Sequence, residues 1–151
     1  MEIKEKNIVV TTLLNAALSS IETVIPIENQ IQKPKLLKDN FQIDFGVLIG
    51  IVGDLEGKLV FSGNTSTFAS IGKGMYGMPL NGEMLQSFSA ELGNMIAGSI
   101  STNLSKNNTD VIISTPTILQ GETILFGYKQ ALELSVSFKD IGHIKACLLL
   151  D

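Results

Sequence analysis

Hydrophobic residues recur at helical spacing in two stretches of this chain, and the stretches around them have the pattern of strands. This combination restricts the chain to a small set of folds. Residues 7–23 carry apolar side chains at intervals of three and four, which suits an amphipathic helix that Pro26 ends. A longer helix is expected after Pro79, with Asn81 as its N-cap, and it runs to about Ser105 before the polar break SKNNTD. The chain therefore has two long helices to pack.

The segments between and after these helices have the pattern of strands and turns. Residues 41–64 predict two strands joined by a turn at 54–57, and residues 110–119 predict a strand that passes through Pro116. Three further pieces complete the expected order: a connector or irregular edge over 26–40, a short helix over about 65–76, and two strands over 122–138 and 143–150 joined by residues 139–142.

This order of elements predicts an α+β fold in which a mostly antiparallel β-sheet packs with two long α-helices. The chain has 151 residues, of which 44% are hydrophobic and 17% charged, so it is long enough and apolar enough to bury a real core. We expect a single domain over residues 1–151.

The charged residues and the apolar runs limit the partners of the chain. All eleven basic residues are lysines and the net charge is −4, so the arginine forks that read guanine and clamp phosphates are missing. No apolar run reaches the roughly 18 residues of a membrane helix, and the N-terminus lacks the pattern of a signal peptide. We therefore expect a cytoplasmic protein that binds neither nucleic acid nor membrane.

Metal, nucleotide and triad chemistry find little support in the sequence. Cys147 and His143, the one cysteine and the one histidine, supply at most half of a tetrahedral zinc site, so we expect no metal. Residues 72–77 match G-x-G-x-x-G, but the residues before them have a helical pattern where a dinucleotide site needs a strand. A catalytic triad would need His143 itself, and no G-x-S-x-G elbow is present.

The long helix has two faces when it is drawn on a wheel at about 100° per residue. With Met84 set at zero, the expected core stripe lies between about 20° and 160° and comprises Leu85, Phe88, Leu92, Met95, Ile96 and Ile100. Ser87, Glu91, Asn94 and Gly98 share a second, compact face at about 280° to 340°. Gly93 lies near 180°, and nothing in the sequence explains a glycine there.

The second face has an unusual composition for a helix surface. From Gly74 to Ser105 the chain carries only two charged residues, Glu83 and Glu91, whereas a solvated face is normally rich in paired Lys and Glu. Small residues permit close approach by another surface, a carboxylate binds a cation, and an amide both donates and accepts hydrogen bonds. From the wheel alone, a weakly polar face covered by the protein's own loops is the favoured interpretation.

The spacing on this face resembles a known signature. Ser87, Glu91 and Asn94 are followed by Pro116 twenty-two positions after the asparagine. This resembles the CheC/CheX/FliY phosphatases of bacterial chemotaxis, whose signature is an Asp or Ser, a Glu and an Asn on one helix, with a distant proline. The segments ELGNMIAG and STPTILQG, the length and the element order are similar to the CheX branch over nearly the whole chain.

A second copy of the motif distinguishes the branches of this family. CheC-like members commonly carry that copy on the first helix, where Asn15 would be its asparagine in this chain. The glutamate position is then Thr12 and the Asp or Ser position is Ile8, so the second copy fails. A single site again resembles the CheX branch.

The resemblance implies a CheC-like fold and hydrolysis of the aspartyl phosphate on a CheY-type response regulator. It implies that Asn94 orients the attacking water, as an amide does in small GTPases, and that Glu91 pairs with the regulator's active-site lysine. Ser87 would support that contact, Pro116 would shape the neighbouring strand end, and Gly98, by our own hypothesis, gives clearance for the partner. This chain would need no cofactor, because the regulator supplies Mg²⁺.

Two further expectations accompany this assignment. CheX-type proteins pair as homodimers through their sheets, and the C-terminal strands LELSVSF and HIKACLLLD are candidates for that edge. A non-catalytic module that docks on a response regulator or flagellar-switch protein is the alternative function. The intact pair of Glu91 and Asn94 favours the enzyme, because an adapter has no need of a water-orienting amide.

Overall fold

The structure of the protein, a computed structural model, describes residues 3–37 and 41–151, which form three helices and eight strands. The helices are α1 (Ile3–Val24), α2 (Thr65–Tyr76) and α3 (Gly82–Lys106). The strands are β1 (Asn29–Ile31), β2 (Lys35–Leu37), β3 (Phe41–Gly53), β4 (Gly57–Gly63), β5 (Val111–Ile113), β6 (Thr117–Leu125), β7 (Gln130–Phe138) and β8 (Gly142–Leu150). Residues 38–40, part of the expected connector, lie outside the described residues.

The strands form one antiparallel sheet with split edges. Its order is β1–β7–β8–β4–β3–β5, and in addition β2 pairs with β7 and β6 pairs with β3. Every strand pair in the described part of the chain is antiparallel. The expected α+β architecture, an antiparallel sheet packed with two long helices, is confirmed.

The starts and ends of the helices follow local chemistry. Asn64 caps α2 because its side-chain oxygen accepts a hydrogen bond from the Thr67 amide at 2.8 Å, and Gly77 ends α2 in the left-handed conformation at φ 76°. Asn81 occupies the N-cap position of α3 as expected, but its side chain makes no capping hydrogen bond. An asparagine thus precedes both helices, but its side chain makes a capping hydrogen bond only at the start of α2.

Two expected strand boundaries are wrong. The strand expected over 110–119 is two strands, because β5 ends at Ile113 and β6 begins only after Pro116, which has no amide hydrogen for a ladder. In the gap, the hydroxyl oxygen of Ser114 accepts a hydrogen bond from the Gly50 amide at 2.7 Å. The strand expected over 122–138 is also two strands, since β6 ends at Leu125 and Gly127 turns the chain at φ 90° before β7.

The C-terminal strands do not provide a free edge, which corrects the expectation that one of them forms a dimer edge. β8 lies between β7 and β4; it pairs with β7 along its whole length and with β4 over residues 145–150. β7 pairs with β8 on one side and with β1 and β2 on the other. Among the described residues, β6 is the long strand with one free edge, because it pairs with β3 on one side and with no strand on the other.

The helices bury one face of the sheet, and α3 approaches it closely. An ideal Cβ placed on Gly93 would lie 2.8 Å from Val47 Cγ1 of β3, a separation that real Cβ atoms do not adopt. Ser89 and Ala97 are likewise fully buried on this side of α3, whereas Met95, expected in the core stripe, is only half-buried. The buried stripe of α3 is therefore rotated from its expected position toward Ser89, Gly93 and Ala97. These small residues allow α3 to approach β3 closely.

The other sheet face carries a smaller cluster that includes Cys147, which is buried. Burial raises the pKa of the Cys147 thiol far above its usual range, and the nearby Glu133 carboxylate raises this pKa further. His143 is exposed on the same strand. Both residues lie on β8, where Cys147 packs in this cluster.

Candidate functional site on helix α3

The candidate site lies on the solvent-facing side of α3. The structure brings Ser87, Glu91, Asn94 and Gly98 onto one helix face, as their spacing predicts. Ser87 and Glu91 are exposed, and Asn94 and Gly98 are half-buried. The opposite side of the helix is in the core, so packing holds the backbone of this face in place.

The polar side chains of this face are free to bind a partner. In the described part of the chain, Ser87, Glu91 and Asn94 make no side-chain hydrogen bond or ion pair. Other polar residues of α3 are engaged, since Ser89 donates to the Leu85 carbonyl at 2.7 Å and Asn103 donates to Ser20 Oγ at 3.1 Å. The alternative that loops of the protein cover this face is therefore not supported.

The surroundings of Gly98 fit a surface that another molecule approaches. An ideal Cβ on Gly98 would meet no atom within 4 Å, so internal packing does not require a glycine at this position. A glycine here costs helix stability of up to about 1 kcal/mol relative to alanine. The open space is consistent with the hypothesis that Gly98 leaves clearance for a partner.

Two hydrogen bonds connect α3 to the strands on either side of Pro116. Gln86 Nε2 donates to Gln120 Oε1 of β6 at 2.8 Å, and Ser101 Oγ donates to the Val111 carbonyl of β5 at 3.4 Å. The helix and the edge run in opposite directions between these bonds. Pro116 lies near the middle of residues 111–120, and Asn94 lies near the middle of residues 86–101.

The Gln86–Gln120 bond is a feature of the site that the sequence reasoning missed. Its two residues are 34 positions apart and match no local pattern. It fixes the start of α3 to β6 one residue before Ser87. A glutamine next to the motif on the helix, and another after the proline in STPTILQG, were the available signals.

The site has the form of an exposed helix surface. A small apolar pocket, whose lining includes Leu92, Gly93 and Ile96, lies on the other side of the helix. Over residues 3–37 and 41–151, no group of three or more His, Cys, Asp or Glu residues is arranged to hold a metal ion. Nor does any described helix have both the length and the apolar character that crossing a membrane requires. An exposed carboxylate and a half-buried amide on one helix face suit contact with another macromolecule.

Comparison with solved structures defines the class of fold. The chain is similar to chemotaxis protein CheX from Vibrio vulnificus, with a TM-score of 0.79 and 23% identity over 95% of this chain and 99% of that one. It is also similar to a CheX–CheY–BeF3–Mg²⁺ complex from Borrelia burgdorferi, with a TM-score of 0.76 and 23% identity over 93% and 96% of the two chains. The fold is therefore the CheC-like fold that the resemblance implied.

Comparison of sequences defines the family. The model of the chemotaxis phosphatase CheX family matches residues 45–139, which include α3 and Pro116. The CheY-P phosphatase CheX of Thermotoga maritima is 31% identical over 136 residues, which are 85% of this chain and 87% of that protein. This chain belongs to the CheX family of chemotaxis phosphatases.

Proposed function

We propose that this chain hydrolyses the aspartyl phosphate of a CheY-type response regulator. Family membership supports the reaction class, and the relative from Thermotoga maritima is a CheY-P phosphatase. A solved CheX–CheY complex from Borrelia burgdorferi supports CheY as the partner. The observation that carries the proposal is the pair of Glu91 and Asn94, which share one exposed helix face and have no partners within the described chain.

The proposed reaction needs positioning more than strong acid–base chemistry. The oxygen of a water molecule attacks phosphorus, the bond from phosphorus to the aspartate oxygen breaks, and the products are inorganic phosphate, a carboxylate and a proton released to solvent. The regulator's own Mg²⁺ neutralises charge on the phosphoryl oxygens, so this chain brings no cofactor. Asn94 holds the water in line by accepting from it or donating to it.

Four other residues have roles in this proposal. Glu91 binds the active-site lysine of the regulator and fixes the approach of α3, and Ser87 supports that contact from one turn earlier. Gly98 leaves room for the partner's backbone. Pro116 ends the β5–β6 gap next to the helix and shapes the sheet edge there, without touching the substrate.

The test is a phosphate-release assay with a purified, phosphorylated regulator from the organism that encodes this chain. Asn94→Ala is expected to lower the hydrolysis rate about 100-fold or more, because it removes the group that orients water. Asn15→Ala is the matched control: Asn15 is an exposed helical asparagine that lies near Lys106 and Asn107, at the far end of α3. It is expected to keep full activity.

Two outcomes of this assay contradict the proposal in different ways. Full activity of Asn94→Ala would refute the water-orienting role. Saturable binding of the regulator by the unmodified chain, with no change in the lifetime of the phosphate, would instead favour the non-catalytic docking module.

A homodimer is the second part of the proposal, and β6 supports it best. The outer edge of β6 has no strand partner among the described residues, and Phe126, just beyond it, is 71% exposed. Gly121 forms a bulge at φ 92° within this strand, so pairing would use the segments on either side. Ile124→Lys is expected to shift the chain toward monomer in analytical ultracentrifugation. An unchanged sedimentation coefficient would exclude this edge.

With its regulator, the protein would act in the cytoplasm.

A further inference from the structure

Three large apolar side chains are exposed where α2 meets α3. Tyr76 is 57% exposed, Met78 is 51% exposed and Met84 is 56% exposed. We call these three residues the corner patch. Exposed apolar side chains that occur singly need no explanation, but a group of them marks an interaction surface.

The corner patch is held together by buried residues beneath it. The Tyr76 ring packs edge-to-face on Phe88, with centroids 5.7 Å apart, and Phe88 lies one helical turn after Met84. Leu80 is buried in the connection between the helices, close to Gly72 of α2, and Gly77 turns the chain next to Met78. The packing of Tyr76 on Phe88 and the burial of Leu80 thus hold the backbone that carries the patch.

The corner patch is continuous with the candidate site. Met84, Ser87 and Glu91 are spaced three and four apart, so they follow one another along the same side of α3. Between Gly74 and Ser105 the chain carries only Glu83 and Glu91 as charged residues. A partner that contacts Glu91 therefore meets an almost uncharged, apolar surface on the N-terminal side of the site.

We propose that the corner patch is the docking surface for the same CheY-type regulator, which would cover it with an apolar part of its surface beside the phosphorylated aspartate. This inference rests on the proposed function. A stable interface buries about 800 Å² on each partner, far more than the side chains of Ser87, Glu91 and Asn94 supply. Tyrosine and methionine are enriched at such interfaces. The patch provides affinity, and Asn94 provides the chemistry.

The experiment measures binding and hydrolysis separately. Binding uses titration calorimetry with the regulator activated by beryllofluoride and Mg²⁺, and hydrolysis uses phosphate release at saturating phosphorylated regulator. The double variant Met78→Ser/Met84→Ser is expected to raise Kd about tenfold or more, with the rate at saturation within about twofold of the unmodified chain. Urea unfolding checks the fold, and Met84→Gln, expected to raise Kd about threefold, replaces the double variant if that one is unstable.

Ile8→Ser is the matched control, since Ile8 is an apolar residue of α1 that is 59% exposed. It lies one helical turn before Thr12, which lines a groove with Lys106 and Asn107 at the far end of α3. This variant is expected to change neither quantity. A Kd for the double variant equal to that of Ile8→Ser would overturn the docking surface. Loss of binding in the double variant, together with no phosphate release by the unmodified chain, would retain the docking surface and refute the proposed function.

Discussion

The two sides of α3 contain the same kinds of residue, but the fold uses them differently. On the inner side, Gly93 lets the helix approach Val47, and Ser89 donates its hydroxyl to the backbone. On the outer side, a Cβ on Gly98 would meet nothing within 4 Å, and Ser87 has no hydrogen-bond partner among the described residues. The inner side specifies the fold, and the outer side is available for a partner. Substitutions on the two sides should therefore affect different quantities.

The largest effect on folding is expected for Gly93→Leu. The added side chain has no room against the stiff Val47, so we expect a loss of about 3 kcal/mol in the free energy of unfolding, measured by urea denaturation. Gly98→Leu is the control. Its free energy of unfolding should lie within about 0.5 kcal/mol of that of the unmodified chain, or above it. Equal losses at the two glycines would remove the distinction between the sides.

The largest effect on activity in the comparison is expected for Glu91→Gln. The substitution keeps the shape of the side chain and removes the charge that would pair with the regulator's lysine. We expect a loss of about 100-fold in kcat/KM for phosphate release, or about 3 kcal/mol. Glu83→Gln changes the other exposed carboxylate of α3 and should keep activity within about twofold. A similar loss for both variants would indicate a general effect of helix charge.

Smaller effects at Gly98 separate the cost of glycine to helix stability from the room it leaves for a partner. Gly98→Ala should raise the free energy of unfolding by about 0.5 to 1 kcal/mol, because alanine favours the helix and meets no neighbour. Gly98→Trp should keep the fold and weaken binding of the beryllofluoride-activated regulator about tenfold. Unchanged affinity of the tryptophan variant would refute the clearance hypothesis.

The smallest effect compares two asparagines at helix starts. Asn64→Ala removes a side chain that caps α2, so we expect a loss of about 1 kcal/mol in the free energy of unfolding. Asn81→Ala removes a side chain with no capping bond to α3 and should cost only a few tenths of a kcal/mol. Thermal denaturation of both variants measures the difference. A larger loss at Asn81 would show that its side chain caps α3 in solution.

Much of the fold was predictable because its signals are local. The short helix expected over 65–76 has those bounds in the structure, and the hairpin of β3 and β4 turns within residues 54–57, where its turn was expected. These features depend on side-chain period, caps and turn residues within a few positions. The strand boundaries around Pro116 and Gly127 were missed because they depend on pairing between strands. β5 and β6 both pair with β3 on either side of Pro116, whereas Gly127 lies between β6, which pairs with β3, and β7, which pairs with β8.

The candidate site shows the same division. The spacing of Ser87, Glu91 and Asn94 placed them on one helix face, and the family resemblance suggested their roles. The hydrogen bond between Gln86 and Gln120, and the corner patch, required knowledge of which elements meet. Neither feature has a periodic signal, because each joins residues from different elements.

By itself, the sequence determined the three helices, the hairpin of β3 and β4, the α+β class and the shared face of the motif, since backbone geometry within one element follows from local spacing. Only the tertiary structure decided the role of Gly93, the interior position of the C-terminal strands and the continuity of Met84 with the site. These depend on contacts between residues distant in the chain. The packing of α3 on β3 requires a glycine on one side of the helix, and the exposed side leaves Glu91 and Asn94 unengaged.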